Sequence, residues 1–159
     1  MAQFTTFYVG DTYFGVNILQ VKEINNHMKY TPVPDSPEYI KGLFNLRGQV
    51  ITIFDLAKRL GRESTEINKN SRNLIMKTDK ETENLREKGL LKETVGYDAV
   101  GFIVDKISDV YRVDDEEIDP PPANVGDVSK EFISGVVEME NDLLVILDTA
   151  VVIGYKKAV

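Results

Sequence analysis

The feature that most constrains the fold is an internal repeat. When the sequence is shifted by 93 positions, residues 36–61 align with residues 129–154, and eight of the 26 aligned pairs are identical. Unrelated stretches of average composition would share about two. Such a repeat predicts that one supersecondary unit is used twice. The identical pairs begin at Ser36, Glu38, Ile40, Gly42, Ile53, Asp55, Ala57 and Gly61.

The repeat extends to the N-terminal region at a slightly different spacing. A shift of 86 aligns Val9-Gly10 with Val95-Gly96, and Gly15 with Gly101. We therefore predict a single domain over residues 1–159, made of two similar barrels packed side by side. The first is expected at about residues 15–90, and the second at about residues 1–14 plus 95–159. Each half has about 70 residues, which is too small to be robust alone.

Short segments rich in aromatic and β-branched residues, separated by Gly, Asp and Asn, predict a mainly β chain. Residues 4–9 and 13–18 flank Gly10-Asp11 and predict a β-hairpin. Further strands are predicted at residues 50–54, 73–77, 99–104, 135–139 and 143–147. Ser36 with Pro37 predicts a helix start, with Gly42 as its stop, and residues 55–61 predict another short helix.

Residues 79–93, between the halves, carry nine charged side chains of mixed sign. This pattern predicts a solvated excursion of a hairpin loop. Residues 114–119 are acidic but lack the alternating ligand spacing of a calcium loop, so no metal site is predicted there.

Composition narrows the functional classes. The chain has no cysteine, one histidine and a net charge of −7, from 19 Lys and Arg against 26 Asp and Glu. Nucleic acid and anionic membranes are bound through excess positive charge, so neither is expected as a partner. The N-terminus lacks the pattern of a signal peptide, and the apolar runs are far shorter than a membrane span of about 20 residues. We expect a cytoplasmic protein without direct membrane insertion.

No catalytic or cofactor motif stands out. His27 lies in a polar stretch without a nucleophile or carboxylate at triad spacing, and the glycines form neither a phosphate loop nor a dinucleotide fingerprint. Asp55 and Asp148 are repeat equivalents that each follow a strand and precede a predicted helix, which favours N-capping. An enzyme would remain possible if these two carboxylates converged in a pocket.

The two halves differ at the turn before the equivalent strands. The first half has Arg47-Gly48 where the second has Glu140-Asn141. Because the sibling half folds with glutamate, the barrel does not require arginine at this place. Arg47 is then either a solvated surface charge or a docking residue, since arginine offers a planar fork of donors suited to interfaces.

Several of these segments together resemble the CheW family, the coupling proteins of bacterial chemotaxis. The most specific is I-K-G-x-x-N-L-R-G at residues 40–48, followed by an apolar strand and Asp55-Leu56. The resemblance spans roughly residues 4–153, and its further motifs are F-G-V-N-I at 14–18, V-K-E-I at 21–24, P-V-P at 32–34, V-G-F-I-V-D at 100–105, I-S-D-V at 107–110 and the strand at 143–148.

The resemblance implies an all-β fold with a few short helices, in which two five-stranded SH3-like barrels share an apolar core. It also implies a non-catalytic adaptor without cofactors that links the cytoplasmic tips of methyl-accepting chemoreceptors to the regulatory domain of the histidine kinase CheA. A CheW-like adaptor of a parallel non-motility array and a generic peptide-binding barrel are the alternatives. The family's receptor-facing positions fall on Val21, Glu23, Lys41, Gly42, Arg47 and Val110.

The resemblance implies different roles for these positions. Gly42 would stop a helix and leave a bare spot for close approach of a receptor hairpin. Val21 and Val110, taken as similar places in the two halves, would line a groove between the barrels, unless both are core residues. Glu23 is otherwise a solvated charge. No local motif marks the kinase-facing residues.

Overall fold

Over the described residues the chain folds into two five-stranded sheets, a two-stranded ribbon and three short α-helices. The computed structural model describes residues 1–154, so the last five residues of the predicted second half lie outside the described residues. The strands are β1 (Ala2–Val9), β2 (Thr12–Asn17), β3 (Val21–Asn25), β4 (Ile40–Leu46), β5 (Gln49–Asp55), β6 (Arg72–Met76), β7 (Val100–Val104), β8 (Lys106–Val113), β9 (Asn124–Val125), β10 (Val128–Ser129), β11 (Ile133–Glu138) and β12 (Leu143–Leu147); the helices are α1 (Leu56–Arg59), α2 (Glu83–Glu87) and α3 (Thr149–Ile153).

The first sheet has the order β3-β6-β7-β5-β4 and the second the order β11-β12-β2-β1-β8, while β9 and β10 form a separate ribbon. This confirms the all-β class and the pair of five-stranded SH3-like units. The predicted hairpin over residues 4–18 is present as β1 and β2.

Strand membership differs from the predicted halves of residues 15–90 and 1–14 plus 95–159. Strand β2 lies in the second sheet, parallel to β12, and β7 lies in the first sheet, parallel to β5. Parallel partners are joined by long connections, so no local sequence signal reveals the exchange. On this membership we propose that the barrels comprise residues 21–104 and residues 1–17 plus 106–154.

The repeat is visible in the registers of both sheets. The bulge that leaves Lys41 unpaired in β4 recurs at Ser134 in β11, at the predicted offset of 93. Strands β3 and β8 correspond with an offset of 86. Strands β6 and β1 correspond with an offset of 69, because Gly101 faces Ile75 as Gly15 faces Thr6.

The predicted helix that begins at Ser36 and stops at Gly42 is wrong. Residues 34–35 and 38–39 form turns, and Gly42 lies within strand β4. Pro34 and Pro37 lack backbone donors and restrict the residues before them to extended conformations, which opposes a helix.

Gly42 is required by the crossing of the chain's own backbone. A Cβ on Gly42 would lie 2.7 Å from the Thr31 carbonyl oxygen and 2.8 Å from the Tyr30 Cβ, and its φ is +150°. Thr31 and Leu43 exchange two backbone hydrogen bonds at this crossing, of 2.8 and 2.9 Å. The repeat-equivalent Gly135 is crossed in the same way. The glycine pair is therefore explained within the fold.

The largest of three apolar clusters among the described residues draws on both sheets. Its fully buried side chains include Phe7 and Phe14 from the second sheet and Leu74, Met76 and Phe102 from the first. Because both barrels contribute to one core, neither can unfold without exposing apolar surface of the other.

Arg59 fixes the two repeats against each other. Its guanidinium lies between the rings of Tyr39 and Phe132, 4.9 and 5.0 Å from their centroids. It also donates hydrogen bonds to the carbonyl oxygens of Val151 and Val152 at the end of α3, at 3.1 and 2.6 Å. The α1 helix of one repeat is thus tied to the α3 helix of the other.

The charged segment 79–93 lies in the hairpin between β6 and β7, as predicted, and contains α2. It is less solvated than its composition indicates. The buried Asp79 carboxylate accepts hydrogen bonds from the backbone N–H groups of Val95 and Gly96 at 2.8 and 3.0 Å. Leu91 is also buried. The Asp79 carboxylate therefore connects the beginning of the segment to the residues that directly follow its end.

Candidate docking site

Arg47 occupies a backbone position that suits other residues better. It forms with Gly48 the two-residue turn between β4 and β5, and both have positive φ, +50° and +87°. Such turns favour Asn-Gly, and an arginine in the left-handed region costs about 1 kcal/mol. In the described part of the second half, the equivalent turn at Glu140 has no positive φ. The turn therefore retains Arg47 at a conformational cost, which points to a role for its side chain.

Glu23 is the partner of the Arg47 side chain. Arg47 Nη2 donates to Glu23 Oε1, and the Glu23 side chain is 24% exposed where that of Arg47 is 70% exposed. Asn25 Nδ2 donates to the other carboxylate oxygen, Oε2, at 2.9 Å. The hydrogen bond from Arg47, and after it that from Asn25, holds the pKa of the Glu23 carboxyl below its ordinary value. The structure thus brings two of the predicted site residues together, one from β3 and one from the β4–β5 turn.

The other predicted residues are more dispersed. Lys41 is the half-buried bulge residue of β4, next to Gly42. Val21 packs against the shared core, while Val110 is 52% exposed on β8 of the other sheet. The strand offset of 86 makes Ile107 the equivalent of Val21 and Ile24 the equivalent of Val110. The expectation that the two valines occupy similar places is therefore wrong. The order of motifs along the chain does not reveal which residues of two repeated strands are equivalent; the strand register does.

A cleft of about 500 Å³ opens beside the ion pair. Its lining includes the cationic side chains of Lys29 and Arg47, together with His27 and Phe44. The His27 and Phe44 rings lie 6.4 Å apart. In a chain of net charge −7 this is a locally basic surface.

Sequence reasoning missed the buried residues behind this surface. Asn73 on β6 is fully buried, and it hydrogen-bonds to Asn25 and to the Tyr30 hydroxyl. A polar residue inside an otherwise apolar strand was the available signal. This signal becomes informative only when β1, the equivalent strand of the other half, is known to carry the apolar Phe4 at the same position.

The enzyme alternative has no support from the two aspartates. Asp55 Oδ1 accepts the N–H of Lys58 at 3.2 Å at the start of α1, and Asp148 Oδ1 accepts that of Val151 at 3.3 Å at the start of α3. The predicted N-caps are confirmed, and the carboxylates serve separate helices. A larger cleft of about 840 Å³ is lined by neither of them.

Two further features can be stated for residues 1–154. No group of three or more His, Asp or Glu side chains is arranged to hold a metal ion. None of the helices is long and apolar enough to span a bilayer.

Two SH3-like barrels thus share an apolar core, and a strained turn of the first sheet carries the ion pair between Arg47 and Glu23. Comparison with known proteins gives the family. A family model for the CheW-like domain matches residues 3–156, and the chain belongs to the CheW family. As a member it is a scaffold protein of the chemotaxis coupling type.

Individual relatives agree along almost the whole chain. The chemotaxis protein CheW of Rhizobium meliloti is 34% identical over 142 residues, which cover 89% of this chain and 81% of that protein. CheW of Bacillus subtilis is 33% identical over 147 residues, covering 92% and 83%. The crystal structure of the scaffolding protein TtCheW from Thermoanaerobacter tengcongensis has a TM-score of 0.78 at 26% identity, covering 98% of this chain and 91% of that one.

The ion pair makes a prediction about acid titration. The Glu23 carboxyl, followed by ¹³C NMR, should titrate below 4.5, the ordinary value for glutamate, and Arg47→Asn should move its pKa back toward that value. Because the pKa is lowered in the folded state, the pair stabilises the fold fully above the ordinary pKa and loses this contribution as the pH falls through the lowered one. Lys130→Gln, distant in sequence and outside the pair, is the control. An unchanged Glu23 pKa in Arg47→Asn would contradict the ion pair.

Proposed function

We propose that this protein couples methyl-accepting chemoreceptors to the histidine kinase CheA, as a cytoplasmic adaptor held at receptor arrays through its two partners. The family membership supports the adaptor role, and the relatives named as chemotaxis proteins support the pathway. The observation that carries the docking proposal is Arg47, kept in a left-handed turn position and paired with Glu23.

The receptor-facing surface we propose is centred on the ion pair. Arg47 extends into solvent, while its partner Glu23 is more buried, so the pair presents a guanidinium whose orientation is already fixed. Preorganised arginines of this kind are common anchors of interfaces, because little side-chain entropy is lost on binding. We propose Lys41, on the same hairpin, and the exposed Val110, on β8 of the other sheet, as further receptor-facing positions.

The remaining two positions contribute through the fold. Gly42 allows Thr31 to cross β4, which holds the segment before that strand against the hairpin. Val21 packs on the core and anchors the start of β3, two residues before Glu23. Substitution of either residue would therefore change the docking surface indirectly, by shifting the strands that carry it.

Coupling requires that both partners be held by one rigid body. The shared core and the Arg59 contacts between α1 and α3 meet this requirement, since they prevent one barrel from moving independently of the other. The kinase-facing surface stays unassigned.

Reconstitution tests the proposal directly. Receptor signalling fragments and CheA are mixed with and without this protein, and co-sedimentation and kinase autophosphorylation are measured. We expect the protein to enter the sediment only with its partners and to change autophosphorylation several-fold through assembly. Absence of co-sedimentation together with unchanged kinase output would refute the adaptor proposal. Tight, salt-sensitive binding to nucleic acid would instead favour a generic β-barrel module that binds peptides or nucleic acid.

A further inference from the structure

A fully satisfied polar network lies buried behind the Glu23 carboxylate. Asn73 has no exposed surface. Its Oδ1 accepts the Tyr30 hydroxyl at 2.6 Å, and its Nδ2 donates to Asn25 Oδ1 at 3.0 Å and to the His27 carbonyl oxygen at 2.7 Å. Burying a carboxamide in a strand is costly unless every polar atom finds a partner, as it does here. A network of this kind calls for a reason beyond packing.

The direction of the network is set by the backbone. The His27 carbonyl can only accept, so it must face the Asn73 Nδ2, and the Asn73 Oδ1 is left for the Tyr30 hydroxyl. Asn25 Oδ1 then accepts from Asn73 and from the His27 N–H, the latter at 3.2 Å. The Asn25 Nδ2 is left to donate to Glu23 Oε2 at 2.9 Å. A chain of donors thus ends on an acceptor, which is the ionised carboxylate.

The sibling sheet shows that the barrel does not need this network. With the offsets of its strands, Asn73 corresponds to Phe4 and Asn25 to Tyr111, which pair across β1 and β8 as the two asparagines pair across β6 and β3. Phe4 is buried in an apolar cluster with Tyr111 packed against it. The same position is therefore apolar where no ion pair lies next to it, and polar where one does.

We propose that Asn73 is a positioning residue for partner docking: through Asn25 it holds the Glu23 carboxylate in the orientation that fixes the Arg47 guanidinium. This rests on the proposed function, since it assigns the supporting side chains of the same site. Tyr30 completes the network by satisfying the Asn73 Oδ1. Burial raises the pKa of Tyr30 to about 12, so its hydroxyl stays protonated and can donate at neutral pH.

The test uses the full chain with three substitutions. Asn73→Leu removes the network while keeping the number and branching of the side-chain heavy atoms. Asn25→Ala removes the hydrogen bond to Glu23 together with the two that Asn25 Oδ1 accepts, at a half-buried position that the fold tolerates more easily. Both should raise the Glu23 pKa measured by NMR and weaken receptor and kinase co-assembly about three- to tenfold, the size expected for the loss of one hydrogen bond of ordinary strength. Tyr30→Phe is the matched control. It leaves the donors toward Glu23 in place, so it should lower stability while the Glu23 pKa and co-assembly stay at wild-type values.

The outcomes separate positioning from mere stability. If folded Asn73→Leu and Asn25→Ala keep the wild-type Glu23 pKa and assemble normally, the network is structural only and the proposal is overturned. If Asn73→Leu does not fold, Asn25→Ala decides by the same two measurements. If the wild-type protein itself fails to co-assemble, the adaptor proposal fails, and the positioning of Glu23 is judged by NMR alone.

Discussion

Arg47→Glu is expected to leave the protein folded and to weaken its ternary assembly with receptor and kinase by about tenfold or more. Arg47 already has a φ of +50°, and glutamate, like arginine, is unbranched at Cβ, so the substitution adds little backbone strain and the fold should tolerate it. At the docking surface it replaces a preoriented guanidinium by a carboxylate next to Glu23. The like charges repel each other, and the partner loses its cationic anchor. Sedimentation with receptor fragments and CheA measures the loss, and circular dichroism checks the fold.

Two controls separate charge from turn geometry. Lys130→Glu makes the same change of charge at an exposed position outside the proposed surface and should assemble normally. Arg47→Asn supplies the residue that turns with positive φ prefer, so it should be as stable as the wild type or more stable, by up to about 1 kcal/mol, and still assemble poorly. Wild-type assembly by Arg47→Asn would show that the side chain is not needed. Unfolding of Arg47→Glu would make Arg47 a structural residue.

Phe102→Ala is expected to lower the free energy of unfolding by about 3–5 kcal/mol while keeping a single unfolding transition. Phe102 is fully buried on β7, and its ring meets that of Phe54 edge-on at 6.0 Å. The cavity lies in the core that both sheets share. A loss of this size is a large part of the total stability of a domain, about 5–15 kcal/mol, and the second barrel cannot keep its packing when the first loses it.

Urea denaturation followed by two probes measures this. The chain has no tryptophan and seven tyrosines, so tyrosine fluorescence and far-ultraviolet circular dichroism should report coincident transitions. Leu90→Ala is the control, because Leu90 is 60% exposed and its loss should change stability by less than about 0.5 kcal/mol. Two separated transitions in either protein would mean that the barrels are independent domains, contrary to the proposed single domain.

Local structure was well predicted from the residues alone where one short-range rule decides it. The hairpin of β1 and β2 follows from Gly10-Asp11 between two β-rich runs, and Asp55 and Asp148 cap helices because each follows a strand and precedes an apolar turn. The helix predicted from Ser36 to Gly42 was wrong for the opposite reason. Gly42 lacks a side chain because Thr31 crosses β4 at this point, and no local sequence pattern shows such a contact between separate segments.

In the candidate site, too, some features could be predicted from the sequence and others depend on tertiary contacts. Glu23 and Arg47 are expected at the site from the resemblance to CheW, and they lie in contact. The strand register that gives Val21 and Val110 different places in the two sheets is not visible in the order of the motifs. The partners of the site stay predictions until assembly is measured.

The repeat, the strand propensities and the capping residues are properties of neighbouring positions along the chain, and they determined the duplicated β architecture and the unusual arginine in one of its turns. Which strand joins which sheet, why Gly42 has no side chain, and how Asn73 reaches Glu23 were decided only by the tertiary structure. Parallel pairing, backbone crossings and buried hydrogen bonds join residues far apart in sequence, and their energies depend on distances that exist only once the chain has folded.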